Sequence, residues 1–184
     1  MVNDIIEEAK DNMGKAIDAL RRELTKIRTG RANLSLLDGI RVDYYGTPTP
    51  LNQIANLAIP DPRMITIKPW EKKMLVAIVR AIQESDIGLS PSNDSELVRL
   101  PIPALTTERR KELVKQANRI GEEAKVAIRN ARRDANEAIK ESEKGGKTPE
   151  DEAKKGTERT QKETDEFIKK VDEILAGKAK EIEG

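Results

Sequence analysis

A chain of 184 residues has room for one large domain or two small ones. Charged and hydrophobic residues each make up 36% of it, the net charge is +1, and the aromatics are only Tyr44, Tyr45, Trp70 and Phe167, so the composition points to long amphipathic helices with cores of Ala, Leu, Ile and Val. Cysteine and histidine are both absent, which excludes disulfides, thiol nucleophiles, imidazole bases and His/Cys metal sites together.

The N-terminus, Met1-Val2-Asn3-Asp4, lacks the basic and apolar regions of a secretory leader. No apolar run approaches the ~20 residues of a membrane span. A soluble, cytoplasmic monomer without membrane contact is expected.

A first helix is predicted from about Asp4 to Arg28. Asp4 and Glu7 have capping-box spacing. Ile6, Ala9, Met13, Ile17, Leu20, Leu24 and Ile27 recur every three or four residues as one apolar stripe, and Gly30 is the stop signal.

The middle of the chain changes character. Ile40 to Tyr44 alternates as a half-buried strand does, and Gly46 to Pro50 reads as a turn or extended loop. Strands are predicted over Ile54 to Ile59 and Met64 to Lys68, split by Pro60-Asp61-Pro62. A short helix follows between Glu71 and Glu84, with Met74, Leu75, Ile78, Val79 and Ile82 as its apolar face. Gly88, Pro91 and Asn93 mark a loop, and Leu97 to Ile102 a last strand.

Helical periodicity returns from Thr106 to about Glu143, with Leu113, Ala117, Ile120, Ala124, Ala127, Ala131, Ala135 and Ala138 as the predicted seam. Lys144-Gly145-Gly146-Lys147 is a break. Thr148 is the predicted N-cap of a third long helix, with Pro149 at its first position and acidic residues in its first turn. That helix should run to about Ile182 and turn Ala153, Gly156, Thr160, Thr164, Phe167, Val171, Ile174 and Ile182 inward.

Three long helices with one apolar stripe each satisfy one another most simply as a bundle. The expected architecture is therefore α+β with two domains. Residues 1–30 and 106–184 form a three-helix bundle, and residues 31–105 form a small β/α/β domain inserted between its first and second helices. The chain crosses between them at Gly30-Arg31 and Ala104-Leu105, where a hinge is expected.

Charge is unevenly spread. Residues 106–148 carry twelve basic and eight acidic side chains, whereas residues 149–184 carry eight basic and eleven acidic ones. On the second long helix, Lys111, Lys115, Arg119, Arg129, Arg132, Arg133 and Lys140 are expected to form one solvent-facing line opposite the alanine seam. From Lys111 to Lys140 the line would run roughly 40 Å at 1.5 Å per residue. Two readings are open. It is an ordinary solvated face, with Glu122 and Glu137 pairing into it, or it is a phosphate-binding face, which three arginines within 129–133 favour. With no aromatic platform for unpaired bases, an RNA ligand would be contacted through its backbone and shape.

Other motifs fail. Gly145-Gly146-Lys147-Thr148 resembles the end of a phosphate-binding loop, but the first glycine that motif requires is Glu141 and a helix precedes it. The many carboxylate pairs stand among lysines at helical spacing and read as surface ion pairs. No catalytic set, metal site or cofactor site is found, so the chain is not expected to be an enzyme.

Several segments together resemble one family, the ribosome recycling factors. Lys26-Ile27-Arg28-Thr29-Gly30-Arg31-Ala32 is similar to that family's first interdomain crossing, and Leu105-Thr106-Thr107-Glu108-Arg109-Arg110-Lys111 to its second. Leu36-Leu37-Asp38-Gly39 and Tyr44-Tyr45-Gly46-Thr47-Pro48-Thr49-Pro50-Leu51 resemble its small domain, and Arg129-Asn130-Ala131-Arg132-Arg133-Asp134-Ala135-Asn136 its signature helix. The resemblance spans the whole chain in the same order. It implies a three-helix bundle and a β/α/β sandwich with the dimensions of a transfer RNA, and binding of the bundle to ribosomal RNA of the large subunit near the intersubunit bridges. It also implies a partner, elongation factor G with GTP, which hydrolyses that GTP itself and drives motion of the small domain. Ribosome splitting and mRNA release after termination would be the function. The implied RNA contacts are Arg129, Arg132 and Arg133, with Arg28, Arg31 and Arg110 beside them, although Arg110 projects off the basic line. Ala104 departs from the proline that many members carry there. A helical RNA- or protein-binding adaptor is the competing reading; it would co-sediment with partners without changing subunit profiles.

Overall fold

The structure is a computed structural model that describes residues 1–184. The fold is α+β, in two compact units: Met1–Arg28 with Thr107–Gly184, and Thr29–Thr106.

The first unit holds α1 (Val2–Thr25), α3 (Thr107–Lys144) and α4 (Glu150–Glu183), which all pack on one another. The predicted stripe of α1 is buried from Ile6 to Ile27. The helix starts two residues earlier than its sequence signals suggest, because Val2 is itself buried and Met1 O accepts from Ile5 N–H at 3.2 Å. Asp4 therefore lies inside the first turn. Its carboxylate meets the terminal ammonium at 3.3 Å instead of closing a capping box. The helix ends at Thr25, so Gly30 is not its cap.

The seam of α3 is Leu113, Ala117, Gly121, Ala124, Ile128, Ala131, Ala135, Ile139 and Ser142. Three positions of the predicted seam shift by one residue: Ile120 is only half-buried beside the buried Gly121, which lets Leu175 come close, and two alanines are displaced by neighbouring isoleucines. Ala127 is exposed and Ala138 half-buried, while Ile128 and Ile139 are buried. Burying an isoleucine gains about 1.5–3 kcal/mol, more than an alanine can offer, and small rotations of the helix settle the choice. Glycines permit the closest approaches. A Cβ on Gly156 would lie 2.6 Å from Val2 Cγ1, and one on Gly121 would run into Leu175 of α4.

The turn between α3 and α4 is built on Ser142. Its carbonyl accepts from Lys147 N–H at 3.0 Å and Thr148 N–H at 3.2 Å, and its hydroxyl bonds that of Thr148 at 2.6 Å. With its hydroxyl so engaged, Thr148 does not cap α4. Pro149 takes the cap position, and its carbonyl accepts from Ala153 N–H at 2.9 Å. Along α4 the buried hydroxyls of Thr160 and Thr164 donate to the carbonyls of Gly156 and Thr160, each at 2.8 Å, so neither polar group is stranded in the seam. Phe167 and Ile174 are only half-buried.

The second unit has two antiparallel sheets around α2 (Leu75–Glu84). β1 (Arg41–Tyr44) pairs with β2 (Thr47–Pro50). The second sheet runs β3-β4-β6-β5, from Ala55–Asp61, Met64–Pro69, Val98–Pro101 and Ser92–Asn93. The stretch expected to be a loop over Gly46 to Pro50 is thus largely a strand. Tyr45 and Gly46, at φ 51° and 84°, make a two-residue hairpin turn, and Asp43 Oδ1 accepts from Gly46 N–H at 2.8 Å. Pro48 and Pro50 are tolerated because β2 has only one neighbour. Val42, Ile65, Ile67, Ile78, Val98 and Leu100 are fully buried in one core drawn from both sheets and α2.

Candidate nucleic-acid interface

The outer face of α3 follows from helix geometry. Arg133 lies eighteen residues after Lys115, which is five whole turns, so both point the same way. Lys111, Arg119, Arg129 and Lys140 fall within about 40° of them. All six are exposed. No carboxylate stands within 4.0 Å of any of the six, and none has another ion-pair partner. Glu122, which could have compensated the line, pairs with Lys125 at 3.5 Å instead. Glu137, the other acidic residue on this face, is also exposed, projects about 40° from Lys115 and makes no ion pair with the row. Cations held four residues apart on a helix, as Lys111 and Lys115, Lys115 and Arg119, and Arg129 and Arg133 are, repel one another by a few tenths of a kcal/mol per pair.

Arg132 does not belong to the line. Seventeen residues from Lys115 put it about 100° round the helix, on the flank toward α4. It is half-buried, and its Nη1 donates to Gln161 Oε1 of α4 at 3.2 Å. The expectation of seven collinear cations is corrected to six, with Arg132 as a buttressed neighbour of Arg129 and Arg133.

Lys125 plays another part on the same flank. It bonds Asp172 of α4 at 2.7 Å, and that bond is the main reason its ammonium is held above the ordinary lysine range, against the opposing effect of burial. It is a strut between helices, not a member of the exposed row.

Arg28 is exposed at the close of the first unit's opening segment. Arg110 is half-buried on α3, off the line. In the second unit Arg31 and Ala104 are exposed and Leu105 is half-buried. Gly30 has φ +73°, and a Cβ there would lie 2.9 Å from Leu105 Cγ.

Two features escaped sequence reading. Gln161 and Arg132 are 29 residues apart with no shared motif. The signal that could have found them is hairpin register: Arg132 and Gln161, Lys125 and Asp172, Gly121 and Leu175 all lie within about three residues of equidistance from Lys147. The other feature is a polar clamp in the second unit. Tyr45 donates to Glu71 Oε2 at 3.0 Å and Tyr44 to Oε1 at 3.4 Å, with Lys73 Nζ 4.7 Å from the Tyr45 ring centroid. Desolvation, then the Glu71 charge, raises the Tyr44 hydroxyl above its usual range. Elsewhere, carboxylates nowhere gather in a group able to hold a metal ion. No helix is long and apolar enough to cross a membrane.

Comparison with known proteins is consistent along the chain. The sequence profile of the family described as ribosome recycling factor matches residues 20–182. A ribosome-recycling factor of Brevibacillus brevis is 55% identical over 182 residues, covering 99% of this chain and 98% of its own. One from Sorangium cellulosum is 53% identical with the same coverage. A solution structure of a ribosome recycling factor matches with a TM-score of 0.71 at 39% identity, over 98% of this chain and 96% of its own. A Thermus thermophilus ribosome recycling factor, described together with Escherichia coli elongation factor G bound to the E. coli post-termination complex, matches with a TM-score of 0.63 at 43% identity over the whole of both chains.

Proposed function

The chain belongs to the ribosome recycling factor family, and on that premise we propose that it recycles ribosomes after termination, splitting them into subunits and releasing mRNA with elongation factor G and GTP. The observation that carries the binding half of this reading is the row of exposed, unpaired cations along α3. In the proposal Arg129 and Arg133 contact phosphates of large-subunit ribosomal RNA directly. Lys111, Lys115, Arg119 and Lys140 extend the contact along the helix, and Arg132 reaches it from the flank. Arg28, Arg31 and Arg110 contribute further contacts. A rigid helix bearing guanidinium groups reads backbone and shape, which suits RNA that is already folded.

The partner assignment is supported by the T. thermophilus relative described with elongation factor G on a post-termination complex. The chain acts as a monomer in the cytoplasm and performs no chemistry; hydrolysis of GTP belongs to the partner. The crossings at Gly30-Arg31 and Ala104-Leu105 are the joint through which force on residues 31–105 is passed to the bundle formed by residues 1–30 and 106–184. The deciding experiment is light scattering from purified post-termination ribosomes. A fall in scattering that requires this chain, elongation factor G and GTP together is expected. Co-sedimentation with ribosomes and no change in scattering would favour the adaptor reading.

A further inference from the structure

Arg132 is the one arginine of the 129–133 cluster that is held by a partner. Its Nη1 donates to Gln161 Oε1 at 3.2 Å, and Gln161 Nε2 donates to Asp165 Oδ1 at 2.9 Å. The amide can point only one way. Reversing it would aim its NH2 at the guanidinium and its oxygen at the carboxylate, opposing like with like at both ends. Asp165 stands one helical turn beyond Gln161 on α4, so the order of the three groups is built into that helix.

We propose that Gln161 is a positioning residue: it orients the Arg132 guanidinium for a phosphate of the bound RNA. The inference rests on the reading of α3 as an RNA-binding face. A neutral acceptor does here what a carboxylate could not. A carboxylate beside Arg132 would hold it more tightly but cancel the charge that the phosphate is meant to meet. The amide uses one of five guanidinium N–H groups and leaves the others, and the full positive charge, for the ligand. Asp165 polarises the amide from behind without touching the arginine. Orienting a long, freely rotating side chain before binding removes part of the ordering cost that RNA would otherwise bear.

The competing account is a plain strut between α3 and α4, which binding measurements on the full chain with purified large ribosomal subunits separate. Gln161→Met keeps size and removes the acceptor. It is expected to weaken binding by about two- to tenfold, the range for ordering one long side chain on binding, with little change in melting temperature, because the lost bond is exposed. In the Arg132→Ala background the same change should do nothing more. Gln161→Glu keeps an acceptor for Arg132 but replaces the amide's bond to Asp165 with like-charge repulsion one turn away; its added negative charge should weaken binding and make the salt dependence shallower. If Arg132→Ala itself leaves binding intact, the RNA-face reading fails at this residue and the proposal falls with it. If Arg132→Ala weakens binding but Gln161→Met does not, or does so equally without Arg132, positioning is overturned while the RNA-face reading stands. Should Gln161→Met lower the melting temperature by many degrees, Gln161→Glu decides: parent-like affinity would overturn the proposal.

Discussion

Gly30 and Leu105 touch: a Cβ built on Gly30 would stand 2.9 Å from Leu105 Cγ and 3.6 Å from its backbone nitrogen. The segment that begins the second unit is therefore seated on the segment that ends it. Gly30 has two reasons to be glycine, its φ of +73° and this contact. Gly30→Ala should destabilise residues 29–106 by about 1–3 kcal/mol, combining left-handed strain with displacement of Leu105. Leu105→Ala should be less harmful when combined with Gly30→Ala than on the parent, because it removes the clash and leaves only the strain. Urea denaturation of the parent, the two single variants and the double variant measures both terms; simple additivity would show that the contact does not matter.

Glycines inside the long helices divide into two kinds. Gly14, in the middle of α1, has nothing within 4 Å of a would-be Cβ, whereas at Gly121 of α3 that carbon would run into Leu175. Gly14→Ala should raise stability by about 0.5–1 kcal/mol, the ordinary helix-propensity difference. Gly121→Ala should lower it despite the same gain in propensity, because the α3–α4 seam must open. Thermal melts followed by circular dichroism should move in opposite directions.

Most of this fold was legible in the chain because its elements are long and strongly periodic. The apolar stripe from Ile6 to Ile27, which runs through α1 and just past its end, and the break at Gly145-Gly146 needed only counting. Misplacements arose where two residues competed for one position. Ala127 and Ile128 differ by a rotation of one residue about the axis, and burial favours the larger side chain. Thr148 has the chemistry of an N-cap, but its hydroxyl is taken by Ser142. Pro48 and Pro50 argue against a strand until the pairing partner is known. At the candidate site the row on α3 could be read from spacing, with one slip. Arg132 is adjacent to Arg133 in sequence, but on a helix adjacent residues are 100° apart. Its partner Gln161 was invisible without the register of the α3–α4 hairpin.

Asp94 should make the second unit sensitive to strong acid. Its carboxylate accepts from Glu96 N–H at 2.7 Å and Leu97 N–H at 3.0 Å and meets Arg99 at 2.6 Å, which bring it from 3.8 down to about 2. Because the folded value is depressed, the stabilisation is present above the unfolded value near 3.8 and is lost as pH falls through 2. Asp94→Asn cannot titrate, so the stability difference between parent and variant should shrink as pH falls from 4 to 2. A difference that is constant over that window would show that the carboxylate charge contributes nothing.

The three long helices should fold without the insert. α1, α3 and α4 pack on one another, and each carries a row of buried positions. Joining Arg28 to Thr107 through a flexible Gly/Ser linker, with residues 29–106 deleted, should leave a helical protein that melts cooperatively. Non-cooperative loss of helicity would mean that residues 29–106 are required for the bundle to fold.

Charge reversal along α3 tests the proposed RNA face most directly. Arg129 and Arg133 are exposed and unpaired, so each replacement by glutamate removes one available cation without breaking an internal contact. Arg132→Glu also breaks the bond to Gln161, so its effect should be at least as large. Lys162, an exposed lysine of α4 outside the row, is the control. Affinity for large ribosomal subunits should fall strongly for each arginine variant and little for Lys162→Glu. Affinity alone cannot separate a phosphate contact from long-range attraction, because any reversal lowers the local potential. The salt dependence can. Losing one phosphate contact should flatten the plot of log affinity against log salt by roughly 0.7–0.9 per contact, whereas diffuse attraction should change similarly for Lys162→Glu and Arg133→Glu. Equal slopes for those two variants would make the row on α3 an ordinary solvated face and remove the observation on which the binding half of the proposed function stands.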